Sequence, residues 1–235
     1  MKPPPTLRFA GLPSTAFFMA AIAGFTDVIG FVGVNKLFTA HITGNIVIAI
    51  SELLHHSPGI AAQIISLPFF ILIVALLTWM IEKHGQTKRL LAAFLAVEAL
   101  LLTAFLFAGV YVIPFRELNS LPYIGGGMLG VAAMAIHNTL LRTFMTSFPP
   151  CTVMTGNLTQ FVVDCVSYYK RKSLPYAVET PFFSHAGIQR IGNVLLGFLV
   201  GGGIAAFGFG WIGFWILGCG VALLGFMAVQ AMKLD

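Results

Sequence analysis

Ile191 to Met232 reads IGNVLLGFLVGGGIAAFGFGWIGFWILGCGVALLGFMAVQAM, 42 residues without one charged side chain. A helix rises about 1.5 Å per residue and a bilayer's hydrocarbon layer is about 30 Å thick, so one crossing needs about 20 residues. The stretch therefore has room for two crossings and a turn. Backbone polar groups in lipid must pair within their own segment, which makes runs of this length helices. The short alternating segments of a membrane β-barrel are not seen in this sequence.

The rest of the chain follows the same pattern. Pro58 to Ile81 carries no charge, and Leu90 to Phe115 carries only Glu98. Hydrophobic residues make up 58% of the 235 positions and charged residues 9%, where a soluble domain has about 25% charged residues. The expected fold is an all-α membrane protein of about six transmembrane helices: Ser14–Val34, Pro58–Ile81, Leu90–Ile113, Leu121–Arg142, Ile191–Phe209 and Trp211–Met232. Pro13 and Ser14 suit the start of the first, and Pro68 is placed to kink the second. Two shorter segments, Asn35–Ser57 and Thr143–Tyr169, fall between spans. The net charge of +5 does not imply nucleic-acid binding, because basic residues flank membrane spans for reasons of topology. Cys151, Cys165 and Cys219 have neither metal nor redox spacing and read as small side chains in apolar surroundings. Residues 1–13 read as a cytoplasmic tail ahead of a retained first helix.

The chain also repeats itself. Thr43-Gly44-Asn45 recurs 112 residues later as Thr155-Gly156-Asn157, and nine residues past each threonine stands an acid, Glu52 or Asp164. Upstream, Asp27 falls opposite Asn138 with one residue inserted. The order of long span, motif, acid and two further spans occurs twice, which points to an internal duplication over 14–115 and 116–235. Three spans per half make the second half enter the membrane inverted. With both termini cytoplasmic and each motif segment returning to its own side, Lys2, Arg8, Lys83, Lys88, Arg89, Lys170, Arg171, Lys172, Arg190 and Lys233 all fall inside. Arg142 lies at the inner end of its span, and only Lys36 and Arg116 fall outside. Such a bias favours six spans with two re-entrant segments over eight spans.

The Thr-Gly-Asn motifs would then enter from opposite faces and meet near the midplane. Threonine or asparagine caps a helix N-terminus, glycine permits close backbone approach, and paired helix N-termini present N–H groups and a positive dipole. This suits an anion or a polar solute, and paired broken helices mark transporter sites. The alternative is that both motifs are caps and packing contacts. The candidate binding residues are Thr43, Gly44, Asn45, Thr155, Gly156, Asn157, His137 and Asn138.

Ionisable residues within a span are functional candidates. Asp27, Glu98 and Arg142 are read as coupling or gating groups. Asp27 can equally be a structural partner of Arg142 or of the loop backbone, and Glu98 can snorkel or pair near Arg89. His137, with no acid, Cys or second His at ligand spacing, reads as a hydrogen-bonded core residue rather than a metal ligand. Glu52 and Asp164 are expected in the headgroup zone, and His55 and His56 in a loop. Gly197, Gly201, Gly202, Gly203, Gly218 and Gly225 allow close helix packing, within the chain or in a homo-oligomer.

The runs AGFTDVIGF, LFTAHITGN, AIHNTLLR and TVMTGNLT resemble the YoaK-like bacterial membrane proteins, a domain of unknown function, over about Ser14 to Met232. At His137 the chain departs from the family pattern, where glutamine is expected. The resemblance implies a multi-pass protein of the bacterial inner membrane and brings no substrate with it. The expected function is a channel or secondary transporter for a small polar or anionic solute, without cofactor or metal. The alternative is a non-transporting scaffold or partner subunit. Enzyme motifs such as Gly-x-Ser-x-Gly and His-Glu-x-x-His are missing from the sequence, so no catalytic role is expected.

Overall fold

The computed structural model describes residues 15–54, 59–146, 148–172 and 185–233. The predicted tail 1–13, His55 and His56 lie outside the described residues, as does most of the polar loop before Arg190. Eight α-helices are described: α1 Thr15–Gly33, α2 Ile42–Leu54, α3 Ala61–His84, α4 Lys88–Tyr111, α5 Leu121–Thr143, α6 Met154–Lys172, α7 His185–Ile212 and α8 Leu217–Met232. Five stretches are long and apolar enough to cross a membrane: Thr15–Gly33, Ala61–His84, Lys88–Phe115, Leu121–Thr143 and Gly187–Met232. The last spans 46 residues, about twice what one crossing needs. It breaks at Gly213, whose φ of 58° is a conformation that glycine adopts without strain. The break falls slightly later than the sequence suggested, and α7 starts six residues earlier than expected.

Contacts fix the helix directions. Phe17, Ala21, Val28 and Gly33 of α1 meet Gly197, Gly201, Gly202 and Phe209 of α7 in the same order, so these helices run parallel. Helix α5 runs against α1: Gly127 sits on Val34 and Leu37, while Cys151, beyond the other end of α5, lies against the Ala16 carbonyl. Helix α3 starts where α1 ends, because Asn35 donates to the Gly59 carbonyl at 3.3 Å and Gln63 donates to the Asn35 carbonyl at 2.6 Å. The chain thus leaves α1, passes through α2 and comes back to the same end. The reading of α2 as re-entrant holds. In the second half, α5 ends and α7 starts at the face where α1 starts, which makes α6 re-entrant as well.

The packing partners exchange between halves. Helix α3 packs on α5 and α7 on α1; α2 lies on α3 and α6 on α7; α4 joins α5 and α8 joins α1. Helices α1 and α5, and α4 and α8, pair across the centre. Of the most apolar window of α5, 83% is buried, against 17% for α3, so α5 is central and α3 peripheral. The interior is built from Met19, Ile22 and Ile29 of α1, Leu91, Leu95, Leu102 and Phe105 of α4, Met134 and Leu140 of α5, and Leu217 and Leu224 of α8.

Gly197 and Gly201 let α7 touch the backbone of α1, since a Cβ at either would overlap the Phe17 or Ala21 carbonyl. Without a hydrophobic drive between helices in lipid, such close packing is what holds them together. These two glycines therefore serve contacts within the chain, whereas Gly203, Gly218 and Gly225 have open space around the missing Cβ. G201A is expected to lower stability by about 1–3 kcal/mol, the usual cost of overpacking, and G203A to stay within about 0.5 kcal/mol of the parent. Thermal unfolding of both variants in detergent measures the difference.

Candidate functional site

The first re-entrant segment is an irregular arm, residues 37–41, followed by α2. Gly30 of α1 and Gly127 and Gly130 of α5 clear its path, since a Cβ at any of them would press on Leu37 or Thr39. At the arm's tip the carboxylate of Asp27, 3% exposed, takes over the backbone. Its Oδ1 accepts from Ala40 N at 2.7 Å and, at 3.4 Å, from His41 N and Thr39 Oγ1. Its Oδ2 lies 2.5 Å from His41 Nδ1. Asp27 is seven residues below Val34, about 10 Å down the helix, so it anchors the tip well inside the membrane. The arm is closed at its mouth by Lys36 and Glu52, 2.8 Å apart.

Asn45 pins the arm to α2. Its Nδ2 donates to the Phe38 carbonyl at 2.7 Å and to Ser66 Oγ at 2.9 Å, and its Oδ1 accepts from Phe38 N at 2.8 Å. The second half repeats the device 112 residues on: Asn157 Nδ2 donates to the Pro150 carbonyl at 2.6 Å. Proline has no N–H, so the reciprocal bond made by Phe38 has no equivalent there. Asn138 matches Asp27, accepting from Thr152 Oγ1 at 2.6 Å where Asp27 holds Ala40. The alignment of Asp27 with Asn138, made from sequence with one residue inserted, corresponds to this shared role.

The candidate binding residues therefore fall into two groups. Asn45 and Asn157 are buried and engaged with their own arms, and Asn138 bonds to Thr152 and to the Met134 carbonyl. Thr43, Thr155 and Gly156 are exposed and Gly44 is half-buried. Helix α2 packs on α3 and α6 on α7, and no substantial interface joins α2 to α6 among the described residues. A half-open cavity of about 430 Å³ lies beside the first tip, lined by Asp27, Val28, Phe31, Phe38, His41, Thr43, Gly44 and Phe198. The Phe198 ring, from α7, meets His41 edge-on at 5.4 Å.

Of the two structural partners open to Asp27, it takes the loop backbone, together with His41, while Arg142 is exposed. Glu98 neither snorkels nor pairs near Arg89; nine residues, about 13 Å of helix, separate them. Its Oε1 lies 2.7 Å from His137 Nδ1, and both side chains are 0% exposed. Asp164 is buried and accepts from Gln160 at 2.6 Å, so it is not the solvated group the sequence suggested. Of the cysteines, Cys151 is buried and Cys219 exposed.

His41 and Phe198 were not singled out by sequence. The signal for His41 was its place two residues before Thr43, where the second half has Val153. Phe198 carries no local signal, because only the α1–α7 packing brings it to the arm.

Two halves of opposite sense, each broken by a re-entrant segment with Thr-Gly-Asn, define a multi-pass α-helical membrane protein with paired broken elements. The family model of DUF1275, proteins of unknown function, matches residues 15–230, and the chain belongs to that family. No curated protein and no solved structure matches it.

Asn45→Ala leaves the Phe38 N–H and C=O unpaired in a buried arm, whereas Asn157→Ala leaves one carbonyl. A buried unpaired polar group costs about 1–3 kcal/mol. N45A is expected to be destabilised more than N157A, as read by unfolding of each variant in the same detergent.

Proposed function

We propose that this protein is a channel or secondary transporter for a small polar or anionic solute, working at the tips of the two re-entrant segments. The observation that carries the proposal is the pair of pinned, irregular arms inside the membrane, the first opening on a cavity beside His41 and Thr43. Non-helical backbone at membrane depth is tolerated where it is buried in protein or lines a water-filled cavity. Paired broken segments of inverted halves are where transporters hold their cargo. The lining groups are the Thr43 hydroxyl, Gly44 and His41, with Thr155 and Gly156 offering the corresponding groups in the second half. Asn45 and Asn157 shape the arms, while Asp27 holds the first tip and serves as its gating acid.

The two tips differ in charge. The start of α2 faces the Asp27 carboxylate, which already answers its positive dipole. The start of α6 faces the neutral Asn138. An anionic group on the solute is therefore better placed at the second tip, and a polar neutral one at the first. For orientation, the end bearing Lys83, Lys88, Arg89, Arg142, Arg190 and Lys233 is assigned to the cytoplasm of a bacterial inner membrane by the positive-inside rule. Lys36 and Arg116 lie at the opposite end.

One observation favours a second reading, a non-transporting scaffold or partner subunit: the buried amides of Asn45 and Asn157 bond to their own arms. Flux through purified, reconstituted protein across a broad panel of small polar and anionic solutes separates the two. Transport predicts flux above empty liposomes for at least one solute. It also predicts a large loss in Gly44→Val, whose added side chain grows against Phe38 at the edge of the cavity. No flux for any solute, with stable co-purification of another membrane protein, would leave the scaffold.

A further inference from the structure

Glu98 and His137 form a polar island that the arms do not use. Glu98 lies ten residues into α4, about 15 Å from its start, and reaches His137 of the central helix α5. Both side chains are fully buried, joined Oε1 to Nδ1 at 2.7 Å. The remaining heteroatoms, Glu98 Oε2 and His137 Nε2, have no hydrogen-bond partner among the described residues. Native interiors seldom leave such atoms unpaired, and an exception calls for a functional or structural explanation.

We propose that the Glu98–His137 pair is a proton-binding site buried within the membrane-spanning bundle, and that the proton is the ion coupled to transport. The proposal rests on the transporter reading for its coupling role, and on the pair's own geometry for its proton. Glutamate with a neutral imidazole has a net charge of −1. One added proton makes the pair neutral, as imidazolium–carboxylate or as imidazole accepting from the carboxylic acid. A net charge in a dry interior is costly and a neutral pair is far less so. Among the described residues no buried cation faces the pair. On α1, Asp27 is committed to His41 and the arm. On α3, Glu82, Lys83 and His84 are exposed at the helix end. On α4, Lys88 and Arg89 sit in the first turn, and Tyr111 is exposed at the far end. On α5, Tyr123 lies fourteen residues, about 21 Å, from His137, and Arg142 is exposed. On α8, Cys219 and Lys233 are exposed.

The closed packing thus holds the pair with its proton. Releasing that proton requires water to reach the unpartnered Oε2 and Nε2, which means loosening the α4–α5 interface. The step moves one proton between the pair and bulk water and breaks no other bond. Proton loss and an opened core become the same event, which is the requirement for coupling a proton to alternating access.

The test uses purified full-length protein in nanodiscs, with no solute. Infrared difference spectra across a pH series read the C=O stretch of a protonated carboxyl, and ¹⁵N-histidine NMR reads His137. The expected result is a carboxyl band and a His137 signal that change together over one pH step, with the step absent in E98Q. In H137Q the carboxyl band is expected to shift and to titrate without its partner. A wild-type spectrum constant over the whole pH range of the folded protein, or a step that survives in E98Q, overturns the site. Wild-type spectra alone decide this if E98Q fails to fold. A titrating pair in a protein without flux would refute the coupling role and keep the site; flux unaffected by an imposed pH gradient would do the same.

Discussion

A backbone that turns back inside lipid must find a partner for each N–H and C=O without help from water, and the rest of this fold follows from that constraint. The arm before α2 has left helical geometry, so its peptide groups cannot bond along their own segment. Asp27 takes the N–H groups at the tip and Asn45 closes both polar groups of Phe38. Glycines on α1 and α5 give the arm room to reach those side chains. Remove the carboxylate or the amide and those peptide groups lose their partners inside the protein.

The inverted repeat applies one solution twice, with different chemistry each time. Asn45 and Asn157 bond the carbonyl seven residues upstream, and Asp27 and Asn138 hold matching positions. Substituting Asn138 for Asp27, Val153 for His41 and Pro150 for Phe38 leaves the second arm uncharged at its tip and with fewer bonds. The two repeats are therefore asymmetric in their electrostatics.

The sequence made the motifs visible but not their partners. Thr-Gly-Asn stood out because it recurs at a fixed interval, yet its asparagines looked like ligands, because a polar residue at membrane depth invites that reading. The bonds that occupy them run to backbone atoms seven residues away, and a backbone atom leaves no compositional trace. Glu98 and His137 were each noticed, but 39 residues of chain separate them. No spacing rule links an acid on one helix with a histidine on the next. Asp164 was expected to be solvated, and the packing of its helix buries it instead.

Hydropathy alone determined that the chain lives in a membrane as helices, because the hydrophobic run lengths match the bilayer and lipid leaves the backbone no other choice. Repetition and the sidedness of charge favoured two segments that turn back, since crossing them fully would put the Lys83–Arg89 cluster on the face opposite the other basic residues, and the helix directions read from the tertiary contacts decided it. The tertiary structure decided which groups are spent and which are open: Asn45 and Asn157 hold the arms, His41 and Phe198 border the cavity, and Glu98 meets His137 out of water. Those choices depend on where helices distant in sequence come together, and that is set by close packing at glycines and by the need to pair every buried polar atom.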